Sequence, residues 1–564
     1  MCNEDTSDMK DVPIGNDNFR KIRENDGYYV DKTELIKDIL SKRNTDVFLF
    51  TRPRRFGKSL NISMLDAFFN IDYGDSSRWF EGLKVMEDKE CIGQMNSSPV
   101  ISISLKDLKT KDMEAFRIKM AAKMSSICMR YRYVIGSDVS DNLLRKYERL
   151  SNEDVNLTEL EGSLKFLSDL LYDYHKRKVI ILIDEYDSAI NHSYMTDIHN
   201  DVIDFIRGFM SQALKTNDSL RFGVVTGVMQ IAKESIFSDL NNLSVNNIFT
   251  GDFDEGFGFT ESEVMEILSQ CEHPEGMRDV KEWYDGYRFG KKDVYNPWSI
   301  LNYIRNDFKT DTYWINEGNP AIIMESVRMN GPDALRVITD VYNDGTVIST
   351  LNRNMTFSDL GSMEGLLSLL TGTGYFKAIE KGDSWELSLV NKEVRKGLID
   401  QIVTDRWRPI YINRISKAML EGDVEGVRVE LGNSLDTSVD SKITRNERYY
   451  QAFTLGLINC LTSRYYVRSE YRGGKGYADI AVIPRDGKGP SSVLELKDGT
   501  PDTDDSTMQA MADGAIEQIH RQRYFADLHG RVELYGIAIR QTDVFISHRS
   551  IDRWPLVNMV NGIP

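Results

Sequence analysis

The residues from Val47 to Ser59 have the sequence VFLFTRPRRFGKS. Its first five residues are apolar or β-branched and predict a buried strand. After Ser59, the apolar residues Leu60, Met64 and Phe68 recur at helical spacing. A strand, a glycine-containing loop and an amphipathic helix in this order indicate the start of an α/β domain.

The loop between this strand and helix ends in residue types that hold nucleotide phosphates. Backbone N–H groups at the helix start would bind the β-phosphate, Lys58 would neutralise the β and γ oxygens, and the Ser59 hydroxyl would ligate Mg²⁺. The pattern G-x-x-x-x-G-K-[ST] fails at its first position, where Arg52 has a Cβ that restricts the loop, so a second motif is needed. The expected nucleotide-binding residues of the loop are Arg55, Phe56, Gly57, Lys58, Ser59 and Leu60.

A second motif lies at the end of the apolar run VIILIDE, Val179 to Glu185. Nucleotide hydrolysis needs one group for the metal and another for the attacking water, and these roles suit Asp184 and Glu185 respectively. Thr226, which ends the strand-like run from Phe222, is placed like a polar sensor of the γ-phosphate. Chance or a solvated helix start explains either motif alone, but both motifs in order favour a P-loop ATPase.

The remaining patterns divide the chain into three predicted domains. Continuous apolar strands alternate with helices and predict a parallel sheet covered on both faces in a P-loop domain, residues 1–260. Residues 261–437 are mainly helical, and the strand-like runs Gly374 to Ile379 and Ser384 to Leu389 within them are compatible with a winged helix. Residues 438–564 are again rich in β-pattern and predict a C-terminal α/β domain.

Two strand-like runs in this last domain carry the second set of candidate residues. A turn-rich loop separates Tyr477–Ile483 from Ser492–Lys497, so they predict an antiparallel hairpin. A turn centred on Gly487 places Asp479 opposite Glu495. Facing carboxylates repel unless a cation lies between them, so the pattern predicts a divalent metal site.

The hairpin carries the residue types that a metal-dependent phosphodiesterase uses. Asp479 and Glu495 would hold Mg²⁺, which lowers the pKa of a bound water and stabilises the charge of the transition state. Lys497 shares the face of Glu495 and would position the water or the scissile phosphate. The alternative is that these residues lie on a solvated strand edge. An isolated E-x-K motif would favour that alternative, but the predicted order of helix, hairpin and helix around it disfavours it.

Several short motifs together resemble the bacterial AAA-ATPase-like family that carries a C-terminal PD-(D/E)XK nuclease domain. They are PIGNDNF (13–19), YYVDKT (28–33), RPRRFGKS (52–59), IDEYD (183–187), ESIFS (234–238) and YNPWS (295–299). The arginine in place of the first glycine is typical of that family. The resemblance implies that residues 438–564 form an α/β restriction-endonuclease-like nuclease domain, in which Glu447 is an extra metal carboxylate and Gln518 is an amide that positions phosphate or water.

Composition limits the other functions. The 564 residues have a net charge of −17, which argues against bulk-charge coating of nucleic acid. The five cysteines form no C-x-x-C pair, and no apolar run approaches the roughly 20 residues of a membrane span. We expect a cytoplasmic chain that binds ATP and Mg²⁺ and cleaves nucleic acid, most simply DNA, with homo-oligomerisation left open. The alternative is a nucleotide-dependent switch that binds DNA without cutting it.

Overall fold

The computed structural model describes residues 12–136, 139–194, 196–215, 217–229, 242–314, 321–353, 355–398, 409–438, 447–458, 465–485, 487 and 489–553. The chain divides into two compact units. The first unit is Met1–Ile323 with Ile348–Val394, and the second is Met324–Val347 with Arg395–Pro564.

The N-terminal part of the chain alternates helices with the strands of one sheet. Its elements up to β5 are α1 (Phe19–Glu24), α2 (Glu34–Ser41), β1 (Val47–Thr51), α3 (Lys58–Phe69), α4 (Ser77–Phe80), α5 (Lys89–Ile92), β2 (Val100–Ser104), α6 (Met113–Arg130), α7 (Asp141–Ser151), α8 (Leu157–Glu161), α9 (Ser163–His175), β3 (Val179–Asp184), α10 (Ser188–Ser193), α11 (His199–Leu214), β4 (Leu220–Gly227) and β5 (Leu243–Asn246).

This sheet is parallel throughout and has the order β2-β3-β4-β1-β5. Every residue of β1 and β3 is buried, as expected for strands that are covered on both faces. The register sets Phe50 beside Thr226 and Ile183 beside Val225. The carboxyl ends of β1, β3 and β4 therefore meet at one edge, and the predicted parallel α/β sheet is confirmed.

The middle region is mainly helical and contains two small sheets. Its elements are α12 (Glu261–Gln270), α13 (Met277–Tyr284), β6 (Tyr287–Phe289), β7 (Lys292–Val294), α14 (Pro297–Arg305), α15 (Ala321–Asp344), β8 (Thr346–Ser349), α16 (Met363–Gly372), β9 (Phe376–Lys381), β10 (Ser384–Leu389), α17 (Lys392–Leu398), α18 (Pro409–Glu421) and α19 (Val424–Ser438).

A winged-helix order of elements runs from α15 to β10. Helix α15 and strand β8 are followed by a 3-10 turn, helix α16 and the hairpin β9–β10, and the three strands lie in the order β8-β10-β9. The hairpin pairs Phe376 with Leu389 and turns at Gly382, whose φ of +63° suits glycine. The predicted hairpin is therefore present, and residues Lys377 to Glu380 lie within its first strand.

The C-terminal domain is a mixed sheet between helices. Its elements are α20 (Glu447–Ile458), β11 (Tyr465–Gly473), β12 (Gly476–Pro484), β13 (Ser491–Asp498), α21 (Asp505–Gln522), β14 (Gly530–Arg540) and β15 (Asp543–Arg553).

The strands of this sheet have the order β11-β12-β13-β14-β15, and only β13 and β14 are parallel. Phe453 of α20 belongs to one core cluster with Leu496, while Ile516 of α21 belongs to another with Val493. The two helices thus cover opposite faces of β13, which confirms the predicted α/β architecture. No helix among the described residues is long and apolar enough to cross a membrane.

Candidate functional site

The loop between β1 and α3 has the backbone of a phosphate-binding turn. Gly57 precedes α3 with a φ of +82°, and Arg55 also has a positive φ of +66°. An added Cβ on Gly57 would meet nothing within 4 Å, so the glycine is required by its left-handed conformation and not by crowding. The free N–H groups of the first turn of α3 begin here, as anion binding requires.

Lys58 is buried and its ammonium is held by its own loop. The Lys58 Nζ donates to the carbonyl oxygens of Arg52 at 2.9 Å and Pro53 at 2.8 Å. Burial lowers the pKa of Lys58 to about 8, against the opposite effect of Asp187 and Asp184. A buried cation of lowered pKa gains most from an anion, and a phosphate group would supply one.

Asp184 joins two of the predicted ligand residues at the carboxyl ends of the strands. Its Oδ2 accepts a hydrogen bond from the Ser59 hydroxyl at 2.6 Å, and its Oδ1 accepts one from the Thr226 hydroxyl. Asp184 is only 6% exposed. A buried carboxylate beside a hydroxyl is the oxygen donor set that Mg²⁺ prefers, so these side chains fit the metal of a bound nucleotide.

The two acidic residues that follow have different environments. Glu185 has a φ of +52°, and burial followed by the charge of Asp184 raises the pKa of Glu185. Asp187 is fully buried, and its Oδ2 accepts from the backbone N–H groups of Val228 and Met229, both at 3.0 Å. Sequence reasoning gave Asp187 no role. Its carboxylate nevertheless fixes the chain after β4, and among the carboxylates it has the largest effect on the pKa of Lys58.

Arg52, which replaces the first glycine of the motif, turns out to be a core residue. Its guanidinium donates to the carbonyl oxygens of Asn246 at 2.7 Å and Phe253 at 3.4 Å, and it lies over the rings of Phe257 and Phe289. Its side chain is fully buried, and burial lowers the pKa of Arg52 to about 9. The arginine therefore ties the loop to the strand β5 and the segment after it.

We expect the consensus change Arg52→Gly to destabilise the chain. It would leave buried carbonyl groups without a donor and open a cavity, at a cost of about 2–4 kcal/mol in the free energy of unfolding. Urea unfolding measures this cost, and Arg54→Ala at an exposed side chain of the same loop is the control. Equal unfolding midpoints for Arg52→Gly and the wild type would contradict the structural role.

The YNPWS segment also supports the loop. The carbonyl oxygen of Arg54 accepts from the Trp314 indole at 3.0 Å and from the Asn296 amide at 3.4 Å. The guanidinium of Arg55 lies 4.0 Å from the ring centre of Trp298. Asn296 and Trp298 of the aromatic segment therefore contact the phosphate-binding turn, as does Trp314. The other unexplained motif, residues 234–238, lies outside the described residues.

In the C-terminal sheet, strands β12 and β13 pair in the register that the sequence predicted. Ile480 pairs with Leu494, and Val482 pairs with Ser492. The pairing of the two strands ends at Ile480, the residue that follows Asp479, and the Asp479 Oδ2 instead accepts from the backbone N–H of Leu496 at 2.6 Å. Asp479 and Glu495 consequently lie next to each other at the point where the two strands separate.

The electrostatics of these two carboxylates indicate a place for a cation. Burial, and then the charge of Glu495, raise the pKa of Asp479 to about 7. Burial likewise raises the pKa of Glu495, which is 3% exposed. The Glu495 Oε2 is buried and has no hydrogen-bond partner in the described part of the chain. An orphaned carboxylate oxygen beside a second carboxyl group fits a divalent metal ion.

The other predicted residues converge on the same carboxylate. The Lys497 Nζ lies 3.0 Å from the Glu495 Oε1 and 3.4 Å from the Glu447 Oε1. The Gln518 amide donates to the Glu495 Oε1 and, at 3.2 Å, approaches the Tyr524 hydroxyl. Burial lowers the pKa of Lys497, but the neighbouring carboxylates outweigh it and the net shift is upward.

Glu447 lies beside Lys497, and its role as a metal ligand stays a prediction. In the described part of the chain, no three or more His, Cys, Asp or Glu side chains form a group that could hold a metal ion. Asp479 and Glu495 are two carboxylates that lie close enough for the charge of one to act on the other. Sequence reasoning missed Gln451, whose amide donates to the Asp479 carbonyl at 3.0 Å. Its position one turn after Glu447 on the inner face of α20 was the available signal.

Two family models match the chain, and they match it where these two sites lie. Residues 13–237 match the family described as predicted AAA-ATPase, and residues 445–549 match the PD-(D/E)XK nuclease superfamily. The chain therefore carries an AAA-ATPase-like segment and a PD-(D/E)XK segment. The AAA-ATPase-like segment contains the phosphate-binding loop, and the PD-(D/E)XK segment contains the paired carboxylates, in the order that the sequence predicted.

Individual relatives add less. A protein of Azotobacter chroococcum mcd 1, described as an uncharacterized protein in the vnfD 5′ region, is 28% identical over 323 residues. The match covers 56% of this chain and 56% of that protein, so the chain spans little more than half the length of the curated relative.

Two solved structures align with this chain at low TM-scores. The Aeropyrum pernix ORC2 protein in ADPNP and ADP complexes is 12% identical over 66% of this chain and 93% of its own, with a TM-score of 0.23. Drosophila ORC bound to AT-rich DNA and Cdc6 is 8% identical over 68% of this chain and 93% of its own, with a TM-score of 0.18. Likenesses at this level do not bear on the function of this chain.

Proposed function

We propose that this chain binds and hydrolyses ATP in its AAA-ATPase-like segment and cleaves phosphodiester bonds of nucleic acid in its PD-(D/E)XK segment. The observation that carries the cleavage proposal is the buried, unpartnered Glu495 Oε2 beside Asp479 and Lys497. A nuclease fold without activity would not need to keep two carboxyl groups that repel each other close together in a buried position. DNA is the substrate that we favour, with Mg²⁺ at both sites.

In the cleavage site, Asp479 and Glu495 would hold the metal. Bound Mg²⁺ would supply a Lewis acid that acidifies a water molecule and stabilises negative charge on the phosphate. Lys497 is oriented by Glu495 and Glu447, so its ammonium can bind a phosphate oxygen or the attacking water. The Gln518 amide fixes Glu495 and can also donate to a phosphate oxygen once a metal takes over that carboxylate.

In the ATP site, the chain's own residues prepare the binding of phosphate. Lys58 would exchange the carbonyl oxygens of Arg52 and Pro53 for phosphate oxygens. Ser59 and Asp184 would hold Mg²⁺, which would neutralise negative charge on the phosphates. Glu185 would orient the attacking water, and its raised pKa suits a group that accepts a proton.

The domain division that goes with this function is 1–260 for the ATPase, 261–437 for a helical lid and linker region and 438–564 for the nuclease. The ATP site and the cleavage site would then lie in separate domains, with a winged-helix order of elements between them along the chain. Nucleotide can gate cleavage only if it binds one conformational state better than another.

The test is a cleavage time course with purified full-length chain on single-stranded DNA, double-stranded DNA and RNA. We expect cleavage in Mg²⁺, none in EDTA, and a changed rate when ATP is added at constant free Mg²⁺. The control is the same series with the Lys58→Ala variant, which should cleave but lose the response to ATP. Binding of DNA without any cleavage would instead support the alternative, a nucleotide-dependent switch.

A further inference from the structure

A cavity of about 470 Å³ lies in the first unit, between the hairpin β6–β7 and the wing formed by β9 and β10. Its volume is in the range of ordinary small-ligand sites. It contains none of the residues assigned above to ATP or to cleavage. Its walls come from residues 287–291 on one side and from residues 376–380 with Trp385 on the other.

Four cations surround this cavity. They are Arg288, Lys291, Arg353 and Lys377, and they concentrate positive charge in a chain whose net charge is −17.

Their ion pairs are weak or shared. Asp293 lies 3.5 Å from both Arg288 and Lys377, so one carboxylate serves two cations. Arg353 pairs at 3.2 Å with Glu380, and both side chains are about half exposed or more, at 48% and 65%. Lys291 is exposed and has no ion-pair partner within the described ranges. Exposed pairs contribute little, so these cations can exchange their partners for an anionic ligand.

Aromatic side chains are interleaved with the cations. Phe249 and Trp385 meet edge to face with ring centres 5.2 Å apart, and both are only partly buried. The guanidinium of Arg353 lies 4.8 Å from the centre of the Trp385 ring. Partly open aromatic faces next to cations form the combination that stacks a nucleobase and pairs with its phosphate.

The cavity also borders the phosphate-binding loop. Pro53 lines it, and Gly374 approaches Pro53 so closely that an added Cβ would lie 2.9 Å from the proline ring. Tyr287, another lining residue, packs against Phe56 with ring centres 4.9 Å apart. A ligand in the cavity would therefore touch the loop that carries Lys58.

We propose that this cavity binds a nucleotide unit, that is, an aromatic base joined to a phosphate. The unit is presented either within a single strand of nucleic acid or as a free nucleotide. The base stacks on Trp385 and Phe249, and the phosphate pairs with Lys291 and Arg353. The proposal does not depend on cleavage, because the cavity and the carboxylates of the C-terminal sheet share no residue.

The experiment uses the full-length chain in EDTA, so that metal-dependent cleavage cannot occur. Binding of a fluorescein-labelled short oligothymidylate is measured by fluorescence anisotropy, and binding of thymidine monophosphate by calorimetry. The test variants are Lys291→Glu with Arg353→Glu, and Trp385→Ala. The matched control, Lys89→Glu with Lys109→Glu, reverses two exposed cations of the same unit away from the cavity.

We expect the double cavity variant to lose affinity about tenfold or more and Trp385→Ala to lose it several-fold, while the control stays within about twofold. An oligonucleotide that contains 4-thiothymidine should cross-link to residues 248–251, 287–291 or 371–390. Loss of oligothymidylate binding alone identifies a strand as the ligand, and loss of monophosphate binding identifies a free nucleotide.

Three results would overturn the proposal: no binding of either probe by the wild type, equal affinities of the cavity and control variants, or cross-links confined to other parts of the chain. The charge-reversal variant keeps the test valid if Trp385→Ala perturbs the wing, because Lys291 and Arg353 are exposed.

Discussion

Replacing Asp479 with Asn, or Glu495 with Gln, is expected to reduce cleavage of nucleic acid by at least about 10²–10³-fold while the chain stays folded. Each amide keeps the size of the side chain but removes one of the two charges that would hold the metal. Cleavage of labelled DNA in saturating Mg²⁺ measures the loss. Asp502→Asn, at an exposed carboxylate of the same domain, is the matched control and should cleave normally.

The free energy of unfolding of the Asp479→Asn variant tests the same site independently of cleavage. Burial and Glu495 raise the pKa of Asp479 from 3.8 to about 7, so ionised Asp479 is unfavourable in the folded chain. The folded state therefore binds the proton more tightly, and the wild type loses stability as the pH rises from about 4 to about 7. Without metal, Asp479→Asn should raise the free energy of unfolding by about 2–4 kcal/mol at pH 8 and change it little at pH 4.

Urea unfolding in EDTA at the two pH values measures this difference. Added Mg²⁺ should stabilise the wild type more than the variant, because only the wild type has both carboxylates. A variant that cleaves like the wild type would refute the assignment of the active centre. A variant that is inactive but unfolded at both pH values would show that Asp479 is needed for folding instead.

The hairpin that carries these carboxylates could be predicted because its determinants are local. Short apolar runs predict β12 and β13 as strands, and the turn around Gly487 predicts the register that pairs Ile480 with Leu494. Lys497 follows from Glu495 by the two-residue period of a strand. The convergence of Gln518 on Glu495 was predicted only through resemblance, because it depends on how α21 crosses the sheet.

The role of Arg52 could not be predicted for the same reason. The sequence motif shows Arg52 only as a replacement of the first glycine that restricts the loop. In the structure its guanidinium donates to the carbonyl oxygens of Asn246 and Phe253, about 200 residues away in sequence. The support that Trp314 and Asn296 give to the Arg54 carbonyl is equally non-local. Periodicity reports which face of an element is buried, but it does not report what packs against that face.

Lys58→Ala is expected to weaken ATP binding by at least about a hundredfold, whereas Glu185→Gln should bind ATP almost normally and hydrolyse it at least about a hundredfold more slowly. Lys58 meets phosphate oxygens that are present in the ground state, so its loss appears in affinity. Glu185 acts on the attacking water, so its loss appears in the hydrolysis rate. Calorimetry with ATP and Mg²⁺ measures the binding, and phosphate release measures the hydrolysis.

The pH dependence of binding distinguishes a direct role of Lys58 from a structural one. In the ligand-free chain burial lowers the pKa of Lys58 to about 8, and phosphate oxygens would raise it again. Binding therefore takes up a proton above pH 8, and ATP affinity should fall as the pH rises from 8 to 9.5. The residual ATP binding of Lys58→Ala should be independent of pH over that range. Wild-type affinity that does not change with pH, or full-affinity binding by Lys58→Ala, would refute the phosphate-binding role of this lysine.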